Sequence, residues 1–138
     1  MKNLTFDELR EGMEGSFTKK ITSKDIITFS EITGDKNPLH LNKKFAQSTI
    51  FKKPIVFGML INSLLSTLAG MHIPGRNSLI ISVESCFKLP CFENDVLKIK
   101  GVLNRKLNPQ KIIILKTEIT NQNLEIIQTG KMFIKLLI

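Results

Sequence analysis

The sequence predicts an α+β architecture in which an antiparallel β-sheet curls around one apolar helix. Three observations carry this. The stretch PIVFGMLINSLLSTLAGMHIPG, residues 54–75, contains no Asp, Glu, Lys or Arg. Four runs rich in Ile, Val, Leu and Thr follow it: SLIISVESCFKL, DVLKIKGVLNRK, QKIIILKTEITN and LEIIQTGKMFIKLLI. The connections between these runs are short and polar, which makes successive strands antiparallel neighbours.

Taken in order, Glu14 to Thr22 reads as a short strand. Ser23 is placed to cap a helix from Lys24 to about Thr33, with Ile26, Ile27, Phe29 and Ile32 on or near one face. Gly34 ends that helix. Residues Asp35 to Leu41 then form a turn, because Pro38 pushes Asn37 toward extended backbone and breaks any continuous helix. Asn42 is placed to cap the short segment KKFAQST. Gly58 to Met71 is the uninterrupted helical part of the charge-free stretch, too short to span a membrane. A short helix apolar nearly all round belongs in a protein core. In the second strand run, Leu97, Ile99 and Leu103 alternate with Lys98, Lys100 and Val102, as a sheet with one wet face requires. Asn94-Asp95, Asn108-Pro109 and Asn121-Gln122-Asn123 supply the turns.

Composition narrows the class. The 138 residues suit one domain, 1–138, and 42% hydrophobic with 23% charged residues argues for a packed core rather than disorder. MKNLTFDELREG has no apolar run behind its positive charge, so a secretory leader is not expected. Cys86 and Cys91 lack metal-ligand or CxxC spacing and read as small buried thiols in a reducing, cytoplasmic setting. The net charge of +8 comes from dispersed lysines, with doublets at Lys19-Lys20, Lys43-Lys44 and Lys52-Lys53. Without Trp or Tyr, and with nine Phe that do not interleave with basic residues, no base-stacking platform for nucleic acid is expected. The lysines read first as a solvated surface and second as a weak attraction for anionic ligands.

TGDKNPLH, residues 33–40, is the stretch that carries chemistry. In a continuous helix Asp35 and His40 would point roughly 140° apart. In a turn a carboxylate and an imidazole can converge on one water, one taking a proton and the other giving one. Imidazole does so near neutral pH. The competing reading is structural: Asp35 bonds the turn's own amides and His40 is polar surface. Gly58 stands at the start of the apolar helix, where free N–H groups and a partial positive charge can hold the oxygen of a polarised carbonyl. It can equally serve close packing alone. Ser66 lacks a Gly-x-Ser-x-Gly setting for a nucleophile, and two histidines without a cluster give no metal site.

FSEITGDKNPLHLNKKFA, residues 29–46, resembles the hydratase motif of the MaoC-like family, the (R)-specific enoyl-CoA hydratases. Phe29, Thr33-Gly34-Asp35, Asn37-Pro38-Leu39-His40 and Ala46 fall at its spacing, and the likeness continues through FKKPIVFGMLINSLLSTLAGMHIPG and SVESCFKLPCFENDVLKIKGVL. The resemblance implies a hot-dog fold, an antiparallel sheet wrapped around a long central helix. It implies a homodimer with the acyl tunnel near the subunit interface, and no metal or redox cofactor. The implied reaction is hydration of a trans-2-enoyl thioester of CoA or acyl carrier protein to the (R)-3-hydroxyacyl thioester, or the reverse dehydration. By position, Asp35 and His40 become the pair that holds and activates water, and the Gly58 amide the oxyanion donor. Asn37 braces the turn, and Ser66 lines or assists the site. Two departures stand out. Phe57 occupies a place where the family often has histidine, and Asn94-Asp95 replaces a frequent Gly-Asp, which asparagine's tolerance of left-handed backbone allows. The alternatives are a thioesterase on the same fold and a non-catalytic subunit that binds acyl groups or a carrier protein.

Overall fold

The computed structural model describes residues 1–138. Strand β1 (Glu14–Lys20) is followed by helices α1 (Ser23–Thr33), α2 (Pro38–Leu41), α3 (Lys43–Gln47) and α4 (Gly58–Thr67), the last continuing as a π-helical turn, Leu68–His72. Strands β2 (Ser78–Phe87), β3 (Val96–Leu107), β4 (Ile112–Thr120) and β5 (Ile126–Leu136) complete the chain. The five strands form one antiparallel sheet in the order β1-β3-β4-β5-β2.

The expected alternation holds on β3, where Leu97, Ile99 and Leu103 are fully buried. What lets the sheet receive the helix is a row of small residues across all five strands. Gly15 faces Gly101, Gly101 faces Thr117, Thr117 faces Gly130, and Gly130 faces Ser85. The α4 segment lies against this row so closely that a Cβ on Gly101 would come within 2.9 Å of Leu68 Cδ2, and one on Gly15 within 2.7 Å of Ile73 Cγ2. Larger side chains there would lift the helix off the sheet and open the core. Ile61, Leu65, Leu68 and Ala69 form the buried stripe that fills the space between.

The helix is buried on that side only. Met59 is 62% exposed, and Ser63, Ser66, Thr67 and Met71 are exposed as well. An all-round burial is corrected for a geometric reason: five strands cover one flank of α4 and nothing else in the chain covers the other. The adjoining edge strand β2 also presents Leu79, Ile81 and Val83 to solvent.

Local signals were mostly where the sequence placed them. The cap of α1 is Thr22 rather than Ser23: Thr22 Oγ1 accepts from the Asp25 amide (3.2 Å), and Asp25 Oδ2 accepts from the Thr22 amide (2.9 Å). This reciprocal box needs an acid three residues on, which Thr22 has and Ser23 lacks. The Thr22 amide bond, assisted by Lys19 at 2.9 Å, holds the Asp25 carboxyl below its ordinary range. On α1 only Ile26 and Ser30 are buried, with Phe29 half-buried, while Ile27 and Ile32 are exposed. At about 100° per residue, Ile27 and Ile32 fall on opposite flanks of the narrow Ile26–Phe29–Ser30 stripe. Gly34 closes the helix in a left-handed conformation, φ 76°, with its N–H on the Ser30 carbonyl. Asn94 likewise has positive φ, 70°, so the Asn-Asp turn keeps its shape.

Two further readings change. α1 has already ended at Gly34, and Pro38 starts a new turn of helix, because a proline in the first helical position gives up no needed N–H. Cys91 is buried as expected, and burial pushes its thiol up to about 12, but Cys86 is exposed on β2. The amino-terminal residues also join the core. Phe6 and Leu9 are buried, and Lys106 Nζ donates to both of their carbonyls (2.7 and 2.9 Å). No periodicity in the first thirteen residues announces this.

Candidate active site

Residues 34–58 run from the end of α1, through α2 and α3, to the start of α4, and this segment builds the site. Asn37 caps α2 by accepting from the Leu39 amide (3.0 Å). The one-turn helix that follows carries His40 inward. Its Nδ1 lies 2.8 Å from the Ile55 carbonyl oxygen, and a carbonyl can only accept, so Nδ1 bears the proton. That leaves Nε2 unprotonated in the neutral ring, a lone pair available to a water or substrate. The ring sits 4.1 Å from that of Phe57, which is buried and packs in turn on Phe29 at 5.1 Å. Phe57 therefore contributes a wall that orients the imidazole, where a histidine would have offered a polar contact.

Gly58 opens α4. Phe57, its cap residue, supplies no side-chain bond to the first turn, and the Gly58 N–H meets no backbone or side-chain acceptor. A free N–H at a helix start is a ready donor to developing negative charge. Close approach is a second constraint, since a Cβ on Gly58 would come within 3.1 Å of the Phe87 ring. His40 and Gly58 line one cavity of about 290 Å³ with Ile55, Val56, Ile61 and Phe87, mostly apolar, with Lys88 in its lining. His40 and Ile55 also line a second cavity of about 340 Å³ on the other side, with Ile26, Lys43, Lys53 and Phe92. A larger hollow of about 700 Å³ lies across the middle of the sheet among Lys100, Lys116, Glu118 and the Lys131–Glu84 ion pair (3.5 Å). It contains none of these residues and is a trough between charged side chains.

Asp35 stands apart from the cavities. It is exposed, and its Oδ1 accepts from the Asn37 amide at 2.9 Å, while its own carbonyl accepts from Ser30 Oγ at 2.7 Å. It makes no hydrogen bond to His40 within the chain. Ser66 lies on α4 two turns beyond Gly58, exposed and outside both cavities. The structure thus brings His40, Phe57 and Gly58 together and leaves Asp35 and Ser66 exposed, outside both cavities.

Sequence reasoning missed two features. Phe87, at the end of β2, covers Gly58 and forms part of the chamber. Asn62, one helical turn past Gly58, anchors a polar cluster in which its Oδ1 accepts from Ser85 Oγ (2.6 Å) and from Gln128 Nε2 (2.9 Å). Gln128 also donates to Ser85 Oγ at 2.8 Å and is only 1% exposed, its Oε1 without a partner. A lone Asn inside an apolar helical run is the signal that marks this cluster, because a buried amide needs partners.

The chain is similar to known proteins along most of its length. The model of the MaoC like domain matches residues 7–123. The (R)-specific enoyl-CoA hydratase of Aeromonas caviae is 32% identical over 133 residues, 96% of this chain and 99% of that protein. The 3-hydroxybutyryl-CoA dehydratase of Methylorubrum extorquens is 35% identical over 100 residues, 72% of this chain and 64% of that protein. Among solved structures, the unliganded R-hydratase PhaJ1 of Pseudomonas aeruginosa superposes with a TM-score of 0.91 at 29% identity, covering 97% of this chain and 86% of that one. A family model spanning most of the chain and a relative alike along nearly all of it lead to one conclusion: this chain belongs to the MaoC-like family and has its hot-dog fold.

Proposed function

We propose that this protein catalyses the (R)-specific addition of water to trans-2-enoyl thioesters, or the reverse dehydration. The chain is an enzyme of the hydro-lyase class, as its hydratase and dehydratase relatives are. The observation that carries the finer reading is the pairing of His40 and Gly58. An imidazole with Nε2 free and a helix-start N–H without an acceptor border one mostly apolar cavity.

In the reaction the water oxygen bonds to C3, a proton reaches C2, and negative charge gathers meanwhile on the thioester oxygen. The Gly58 N–H donates a hydrogen bond to that oxygen, and the helix start holds the donor in place before the charge develops. Asp35 and His40 hold the water between them and carry its proton to C2. Phe57 fixes the imidazole plane, and Asn37 fixes the turn from which both side chains project. Ser66 follows Gly58 and Asn62 at steps of four residues but lies outside both cavities, so no step of the reaction is assigned to it.

The working unit is a homodimer built from this one domain. Support comes from β2, whose free edge and exposed Leu79, Ile81 and Val83 adjoin the uncovered flank of α4 bearing Met59. An apolar sheet edge of this kind calls for a partner. Two free thiols and the absence of any helix long and apolar enough to cross a membrane suit a reducing cytoplasm.

The test is incubation of the purified protein with crotonyl-CoA, following loss of enoyl absorbance and the handedness of the product. Conversion to (R)-3-hydroxybutyryl-CoA is expected; no conversion at any chain length ends the proposal. One observation favours a second reading, a non-catalytic acyl-binding subunit: Asp35 lies outside the cavities and bonds its own turn. Binding without turnover would select it, and release of free CoA thiol would select a thioesterase.

A further inference from the structure

We infer that the Lys43/Lys53 cavity beside His40 seats the anionic arm that carries the acyl group. This rests on the hydratase reading, and it assigns the two cavities different halves of the substrate. A thioester is a junction: an acyl chain lies on one side, and on the other a long polar arm ends in phosphate. The structure has a matching junction. His40 and Ile55, tied by the 2.8 Å hydrogen bond from Nδ1 to the Ile55 carbonyl, line both cavities and form the wall between them. The chamber with Gly58, Ile61 and Phe87 is mostly apolar, with Lys88 its one charged lining residue, and borders the oxyanion donor, so it takes the reacting acyl end. The other cavity has apolar walls, Ile26, Ile27 and Phe92, and a basic rim.

Two lysines face one carboxylate there, Lys43 and Lys53 against Glu93, so the rim favours an anion. Lys53 is positioned, not free: its Nζ sits 4.1 Å from the centroid of the Phe92 ring. Lys43 begins α3, directly after the α2 turn that aims His40. Lys44 and Lys52, the other members of the two doublets, do not line this cavity. The apolar walls suit the hydrocarbon portions of a pantetheine arm, and the lysine pair suits its phosphate. That chemistry is common to CoA and to the prosthetic arm of an acyl carrier protein.

The experiment compares three crotonyl thioesters: of CoA, of acyl carrier protein, and of pantetheine, which lacks phosphate. The readout is the ratio of kcat/KM for each phosphate-bearing substrate to that for crotonyl-pantetheine. In the double variant Lys43→Ala/Lys53→Ala this preference falls about tenfold, through KM, as expected for removing two exposed charge contacts. In the control Lys44→Ala/Lys52→Ala the preference stays within twofold of the unmodified enzyme. A fall for both carriers assigns the lysines to the phosphate that they share; a fall for CoA alone assigns them to its nucleotide phosphates. An unchanged preference in the first variant overturns the inference, as does an equal loss in the control. If no thioester is hydrated by any of the proteins, the hydratase reading fails. Calorimetry with CoA then decides the cavity's role alone: binding weakened only in Lys43→Ala/Lys53→Ala upholds it, and binding equal in all three proteins overturns it.

Discussion

Replacing Asp35 and His40, singly and together, separates a catalytic pair from a structural turn, because the structure assigns the two residues different mechanical duties. Asp35 accepts one hydrogen bond, from the Asn37 amide at 2.9 Å, on the exposed side of the turn. Asn in its place retains an acceptor oxygen for that amide, so Asp35→Asn should leave stability nearly unchanged. His40 does more for the fold. It donates to the Ile55 carbonyl at 2.8 Å and packs on Phe57 at 4.1 Å. Losing one such bond costs about 0.5–1.5 kcal/mol. With an unfolding entropy near 2.1 cal/mol/K per residue, each kcal/mol corresponds to about 3–4 °C in a chain of this length. His40→Gln should therefore melt about 2–5 °C lower on these grounds and still be folded at assay temperature. Activity should respond on a different scale. Removing a general acid or base typically costs about 10²–10⁴-fold, so each single variant should lose at least about a hundredfold in kcat. The double variant should lose far less than the product of the single losses, since the pair acts on one proton transfer. The assay is 2-enoyl-CoA hydration by the four proteins, with circular dichroism melts run alongside. A folded Asp35→Asn protein working at near the original rate would refute the reasoning and leave Asp35 as a turn-former.

Other consequences can be checked with the same material. Gly58→Val places branched carbons where a single Cβ already meets the Phe87 ring at 3.1 Å, so hydration should drop at least about tenfold; a fully active Gly58→Val enzyme would remove the oxyanion assignment. Asn62→Ala strips the Ser85 hydroxyl and the buried Gln128 amide of their shared acceptor, which should cost about 1–3 kcal/mol in chemical denaturation; an unchanged midpoint would mean that the cluster is solvated. A thiol reagent at neutral pH should label Cys86 in the native protein and reach Cys91 only after unfolding, because burial raises the Cys91 thiol to about 12. As that value lies above the ordinary 9.0, the folded state holds the proton more tightly, and stability should fall as pH rises from about 9 toward about 12. Cys91→Ala should flatten that alkaline decline. Ile81→Lys with Val83→Lys on the free edge of β2 should halve the mass measured by light scattering; a monomeric unmodified protein would end the dimer proposal instead.

What the sequence by itself determined were features whose cause is local. Alternation along residues 97–103 marked a sheet with one buried face, since side chains of a strand alternate by geometry alone. Gly34, Asn42 and Asn94 marked a helix end, a cap and a left-handed turn, because each is a backbone demand that few residue types meet. The spacing of Asp35, Asn37, Pro38 and His40 pointed to the turn, and Gly58 to a helix start. What only the tertiary structure decided depends on partners distant in the chain. Which nitrogen of His40 keeps its proton is set by the carbonyl of Ile55, fifteen residues on. That Phe87 covers Gly58, and that Asn62 meets Ser85 and Gln128, follows from how β2 and β5 come to lie beside α4. The same holds for the uncovered flank of the helix. The segment carries no charge on any side, and composition carries no record of how many strands there are to bury it. Caps, turns and alternation are short-range physics written into neighbouring residues; the walls of a cavity are long-range contacts, which exist only once the sheet has closed on the helix.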